Sequence, residues 1–261
     1  MSYSTLLVET DPRGIVHVML NRPEKRNAMS ATMIEELTDV GQTLGADTAS
    51  RAMVLSGAGD LFCAGGDLNW MMAQIEADRA QRMAEARKLA DMLRTLNEMP
   101  TPLIGRIHGG AYGGGVGLAC ICDVVIAAEG TRFAFTETRL GITPATIGPY
   151  AIARLGEAMA RRVFMSSRVF DAREAVTLGL AAKAVSKNAL DAAIDAETVP
   201  YLKVAPGAVG RAKALARKLG PPITDAVIDD TIVQLADAWE TEEARLGIAA
   251  FLGKHTPPWA S

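Results

Sequence analysis

Gly109-Gly110-Ala111-Tyr112-Gly113-Gly114-Gly115-Val116-Gly117-Leu118-Ala119-Cys120-Ile121-Cys122-Asp123 is the stretch from which the rest of the chain can be read. Six of its first nine residues are Gly, a composition that weakens helix and strand interiors and lets backbone approach a ligand closely. The run leads into apolar Val116, Leu118 and Ala119 and then strand-like Val124-Val125-Ile126, which predicts a tight turn opening a short buried helix. The first N–H groups of such a helix have no partner inside it and can hold an anion, or an oxygen that becomes one.

Upstream, apolar and polar residues alternate from Leu6 to Leu20 around the turn-forming Asp11-Pro12-Arg13-Gly14, which predicts a β-hairpin. Asn21 to Ala28 is a polar loop with three cations, and Ser30 caps a helix whose apolar face is Met33, Leu37, Val40 and Leu44. Ala52 to Ser56 is a strand. The long connection Gly57 to Asp67 carries the apolar centre Leu61-Phe62-Cys63-Ala64, so it turns inward, and Asp67 caps a helix beginning at Leu68. A second helix runs from Asp78 to Glu98 until Pro100 and Pro102, and Leu103 to Ile107 is the strand entering the Gly stretch.

Downstream lie a strand at Val124 to Ala127, a short one at Phe133 to Phe135, and then helices only. Asp171 to Glu174 starts one that stops at Gly179. Ala189 to Val199, Gly207 to Leu219 and Asp225 to Leu252 supply three more, the last a single helix long enough to reach a neighbouring element or subunit. Strand–helix alternation followed by helices argues an α/β fold with a helical C-terminal region.

The chain has 261 residues, 49% of them hydrophobic and 22% charged, which suits one α/β domain with an appendage. A net charge of −3 gives no electrostatic case for nucleic acid or an anionic membrane as partner. The beginning, Met1-Ser2-Tyr3-Ser4-Thr5, has neither the basic region nor the apolar core of a signal peptide, and no apolar run reaches a membrane span. A cytoplasmic protein is expected. Cys63, Cys120 and Cys122 make neither a disulfide framework nor a zinc spacing, and His17, His108 and His255 lie far apart, so no metal is expected. The Gly stretch lacks the third Gly of a dinucleotide fingerprint, and the chain has no phosphate loop and no G-x-S-x-G elbow. Two Gly-rich backbone segments, 57–66 and 109–117, remain, with Glu137 in an apolar setting beside Phe135 and Leu140. Partial burial would raise its pKa toward a useful acid/base value.

These residues resemble the crotonase, or enoyl-CoA hydratase/isomerase, superfamily. Asn21 to Ser30 is similar to its CoA-binding segment, Phe62 to Leu68 to its first oxyanion segment and Gly109 to Asp123 to its second. Gly141-Ile142-Thr143-Pro144 and Phe251-Leu252-Gly253-Lys254 fall at its G-x-x-P and its terminal CoA-contacting helix. The resemblance implies a spiral of ββα units as the core (residues 1–200) and a C-terminal helical trimerisation region (residues 201–261). It implies a homotrimer or dimer of trimers acting on an acyl-CoA, with no cofactor apart from the coenzyme A of the substrate thioester.

By position, the resemblance makes the N–H groups of Ala64 and Gly114 the oxyanion donors and Glu137 the acid/base. Lys25, Arg26 and Lys254 would meet the CoA phosphates, and Phe251 the adenine, from this or a neighbouring subunit. Ala28, Gly66, Asp67, Leu68, Tyr112 and Gly113 complete the implied contacts, and Met71 and Met72 are candidates for the acyl pocket.

Typical hydratases of the family carry a further Glu where this chain has Gly117. One carboxylate suits a Δ3–Δ2 enoyl-CoA isomerase. Glu137 to Pro149 and the Gly117-Leu118 pair instead resemble a hydratase branch that includes methylglutaconyl-CoA-type enzymes. Hydration of an enoyl-CoA is therefore the leading expectation, on a branched or carboxylated acyl group whose carboxylate would need a cation, Arg139 or Arg82. Some crotonase-like chains bind RNA instead, which the charge balance disfavours.

Overall fold

A computed structural model describes residues 3–260. Met1 and Ser2, part of the beginning read above for a signal peptide, lie outside the described residues, as does Ser261. The chain opens with β1 (Leu6–Thr10) and β2 (Ile15–Leu20), an antiparallel hairpin closed by the expected turn. Ser30 Oγ accepts from Met33 N and begins α1 (Ala31–Thr43), which buries Met33, Ile34, Leu37 and Val40. β3 (Ala52–Gly57) follows, buried along its whole length. Asp67 caps α2 (Leu68–Glu76), and Asp78 caps α3 (Arg79–Glu98) through a reciprocal capping box with Gln81.

β4 (Leu103–Ile107) then enters the Gly stretch, which forms β5 (Gly110–Tyr112) and α4 (Gly114–Ile121). Every residue of α4 from Gly115 onward is buried. Arg154 holds the far end of this helix, its guanidinium donating to Cys120 O (3.3 Å), Asp123 O (3.2 Å) and Cys122 O. After it come β6 (Val124–Ala128), β7 (Arg132–Ala134), α5 (Gly148–Leu155), α6 (Glu157–Phe164), β8 (Phe170–Asp171), α7 (Ala172–Thr177), β9 (Lys183–Val185) and α8 (Leu190–Thr198). The C-terminal region holds α9 (Pro206–Leu219), α10 (Asp225–Trp239) and α11 (Glu242–Leu252).

The main sheet has the order β1-β2-β3-β4-β6-β9, parallel from β2 to β9, and β5-β7-β8 make a smaller second sheet. Parallel strands need both faces covered, which fits the burial of β3 along its whole length and of β4 at every position but Arg106, whose guanidinium pairs with Asp191. Two expectations are corrected. The last part of the chain is not helical only, because β8 joins the small sheet and β9 the edge of the main one. Nor is Asp225 to Leu252 one helix: it breaks after Trp239, and Thr241 starts α11 by accepting from Ala244 N. No helix among the described residues is long and apolar enough to cross a membrane.

Candidate active site

Both Gly-rich segments leave the C-terminal ends of parallel strands, Gly57 onward from β3 and Gly109 onward from β4, where α/β sheets place their ligand crevices. Backbone bonds lace the segments together: Phe62 N donates to His108 O (3.0 Å) and Tyr112 N to Cys63 O (3.0 Å). The approach is so close that a Cβ on Gly109, whose φ is +65°, would lie 1.9 Å from Asp60 O.

Between them opens a cavity of about 380 Å³. It brings together many of the residues singled out above: Arg26, Ala64, Gly66, Tyr112, Gly113, Gly114, Glu137 and Phe251, the last from this chain's own α11. Met71 also faces it. Lys25, Ala28, Asp67, Leu68, Met72 and Lys254 are not part of its lining. Lys25 and Lys254 are exposed, Ala28 is packed in the core, and Leu68 and Met72 point outward from α2.

Asp67 has a structural task. Its Oδ1 accepts from Asn69 N (2.8 Å) and Trp70 N (3.4 Å), and Oδ2 pairs with Arg22 Nη1 at 2.9 Å, the two side chains 8% and 18% exposed. Burial opposes ionisation of this carboxyl, but the Arg22 hydrogen bond and the two N–H groups outweigh it and hold its pKa below the ordinary value. Asp67→Ala removes a helix cap and the Arg22 counter-charge while leaving the Arg22 Nη1 bond to Ala28 O (2.7 Å), so urea denaturation should show a loss of about 1–2 kcal/mol at neutral pH. A lowered pKa stabilises above the unfolded value and is lost as pH falls through the folded one, so this loss should shrink below about pH 4.

The N–H groups decide which backbone atoms can serve an oxyanion. Ala64 N donates to Arg26 O at 3.0 Å, which corrects the expectation that it points at substrate. Gly65 N faces Cys63 Sγ (3.5 Å). Met29 bridges Gly66 in parallel fashion, donating to Gly65 O (2.8 Å) and accepting from Asp67 N (3.0 Å), and this register turns Gly66's own N–H the other way. Among the described residues it has no partner. Gly114 is the first residue of α4, and its N–H is likewise unpartnered. Both residues line the cavity.

Glu137 begins a short 3-10 turn that ends at Gly141 (φ +73°). Its Oε1 packs on Gly113, where φ is +50° and a Cβ would lie 3.2 Å from that oxygen. Oε2 is buried without a hydrogen-bond partner among the described residues. Burial raises the Glu137 pKa to about 7 against the opposing backbone N–H groups of Glu137 and Thr136. Arg139 does not pair with it and donates instead to Ser167 O (3.0 Å). Gly117 lies under Ile147, whose Cγ2 would be 2.4 Å from a Cβ there, so the place of a second carboxylate is filled by a methyl group.

The rest of the wall combines residues of the quoted motifs with residues that carry no signal of their own. Met29, Trp70, Leu89 and Ile142 to Ile147 contribute, as do Leu235 and Trp239 of α10. Leu235 and Trp239 are one turn apart on an apolar stripe that reads from sequence as plain core. Among the described residues no three His, Cys, Asp or Glu side chains gather into a metal-binding group.

The fold and the sequence have known counterparts. The model of the enoyl-CoA hydratase/isomerase family matches residues 10–261. The enoyl-CoA hydratase ACTT6 of Alternaria alternata is 32% identical over 251 residues, covering 94% of this chain and 81% of that protein. A crystal structure of an enoyl-CoA hydratase from Shewanella pealeana is 32% identical with a TM-score of 0.80, covering 98% of this chain and 96% of that one. Pseudomonas aeruginosa AtuE is 39% identical with a TM-score of 0.77, covering 99% and 100%. With its fold and its sequence in agreement over nearly the whole length, the chain belongs to the enoyl-CoA hydratase/isomerase, or crotonase, family.

Proposed function

We propose that the protein is an enoyl-CoA hydratase in which Glu137 alone moves both protons. The observation that carries this reading is the Glu137 carboxyl, its Oε2 buried with no hydrogen-bond partner among the described residues, its Oε1 set against Gly113 and its pKa raised by burial to about 7. The thioester oxygen would sit between the Gly66 and Gly114 N–H groups. Water adds to C3 of the enoyl group while the Glu137 carboxylate takes one of its protons. The electron pair of the C2–C3 double bond moves onto the thioester oxygen as an enolate, where the two donors stabilise it. The same carboxyl then returns its proton to C2, leaving the enzyme unchanged and a 3-hydroxyacyl-CoA as product.

Outside the cavity, the exposed cations Lys25 and Lys254, with Arg26 at its wall, suit the CoA phosphates, and half-exposed Phe251 suits the adenine. The C-terminal helices are read as the surface through which trimers, or pairs of trimers, assemble.

A second reading, Δ3–Δ2 isomerase, is favoured by Ile147 filling the Gly117 position, since shuttling a proton from C2 to C4 needs one carboxylate and no water. Turnover of crotonyl-CoA and 3-hexenoyl-CoA in H₂¹⁸O separates the two. Label in a 3-hydroxyacyl product is expected, whereas unlabelled 2-hexenoyl-CoA as the main product would replace hydratase by isomerase. The pH profile provides another check. Hydration needs the Glu137 carboxylate as base, so kcat/KM should fall tenfold per unit below about pH 7. A profile flat from pH 5 to 8, on the order of three units, would assign the base elsewhere.

A further inference from the structure

We propose that the buried apolar wall of the cavity, formed by Met71, Leu89, Ile142, Leu235 and Trp239, takes an uncharged apolar acyl chain, and that Trp239 sets its length. This rests on the acyl-CoA reading above and narrows its substrate class away from carboxylated acyl groups.

All five wall residues are buried, between 7% and 8% exposed. Met71, Ile142, Leu235 and Trp239 belong to an apolar cluster separate from the main core, built where α10 and α11 cover α2, α3 and the loop after Glu137. The charged side chains lining the cavity are Arg26, Glu137 and Arg139. Arg26 and Arg139 are both exposed, and the Arg139 guanidinium is engaged with Ser167 O. Arg82, the other cation considered for a distal carboxylate, lies outside the lining and donates to Gln74 O (2.7 Å) and Ile75 O (3.1 Å). A carboxylate entering the cluster would therefore lose its hydration without a partner. A methylene entering it gains about fourfold in affinity.

Trp239 ends α10, one turn beyond Leu235, and its indole is the bulkiest side chain in the buried wall. Trp70, the cavity's other indole, is only half-buried and is held by Glu85 Oε2 (3.3 Å). Removing the Trp239 ring enlarges the apolar part of the cavity and leaves the Glu137 side chain and the Gly66 and Gly114 N–H groups in the chain.

Saturated thioesters test this without turnover. Titration calorimetry of the full chain with octanoyl-CoA, dodecanoyl-CoA, glutaryl-CoA and free CoA should give octanoyl-CoA about a hundredfold tighter than glutaryl-CoA. Trp239→Ala should raise the affinity for dodecanoyl-CoA relative to octanoyl-CoA at least about tenfold. Trp239→Leu keeps an apolar filler should the Ala variant fail to fold, and should move the ratio in the same direction. Glutaryl-CoA binding as tightly as octanoyl-CoA overturns the apolar assignment, and an unchanged chain-length ratio in both variants removes Trp239 from the role. If every thioester binds no better than free CoA while free CoA itself binds, the acyl assignment alone fails. If nothing binds, the acyl-CoA reading falls with it.

Discussion

Glu137→Gln is expected to lower kcat by about 10³–10⁴, the upper part of the range for a general acid/base, because one residue performs both proton transfers. The amide keeps the shape and polarity of the carboxyl but cannot accept the proton of water or return it to C2. Binding of the thioester should change little, since the CoA contacts lie elsewhere. Stability offers an independent readout. A carboxyl whose folded pKa is raised to about 7 contributes no penalty below its unfolded value, accumulates one between the two values, and keeps it in full above about 7. The variant should therefore be more stable than wild type at about pH 8, by on the order of 2–3 kcal/mol, and lose that advantage near pH 4. Wild-type turnover in Glu137→Gln would place the acid/base on another residue. Equal stability of the two proteins at pH 8 would contradict the burial that raises the Glu137 pKa.

Much of this site is legible in the amino-acid sequence, and the limits of that legibility follow from what side chains can signal. Ser30, Asp67 and Asp78 announce their helices because a capping oxygen is a side-chain property written at one position. Glu137 stands out as a carboxyl between apolar neighbours. The oxyanion donors are backbone N–H groups, and nothing in Ala64-Gly65-Gly66 says which of the three points at substrate. The answer lies in the Met29 register and in Arg26 O, both remote in sequence. Strands of two or three residues, as in β8 and β9, are too short to show a period. The break between α10 and α11 is hidden because apolar spacing continues across it, although Thr241 followed by Glu242 and Glu243 is a helix-start signal. Trp239 cannot be told from core by sequence, since a substrate wall and a core stripe use the same residue types.

The oxyanion donors yield the second large effect. Pro at position 114 or 66 deletes an N–H that no other group among the described residues uses, and each loss should reduce kcat by about 10²–10³. Alanine controls separate the missing donor from added bulk. At Gly114 a Cβ would lie 2.3 Å from Met29 Cε, the free end of a flexible side chain, so Ala and Pro meet the same obstacle and differ in the donor. Pro is also tolerated at the first position of a helix, which is where Gly114 sits in α4. At Gly66 a Cβ would be 3.7 Å from Met71 Cγ and Trp70 Cε3, ordinary contact, so Gly66→Ala should keep most activity. Ala64→Pro removes a different bond, the one to Arg26 O, and should act on the Arg26 loop and on KM more than on kcat. The three positions together assign the donor. Should Ala64→Pro abolish chemistry in a folded protein while Gly66→Pro does not, the first donor is Ala64, and the Ala64–Arg26 bond must open when substrate binds.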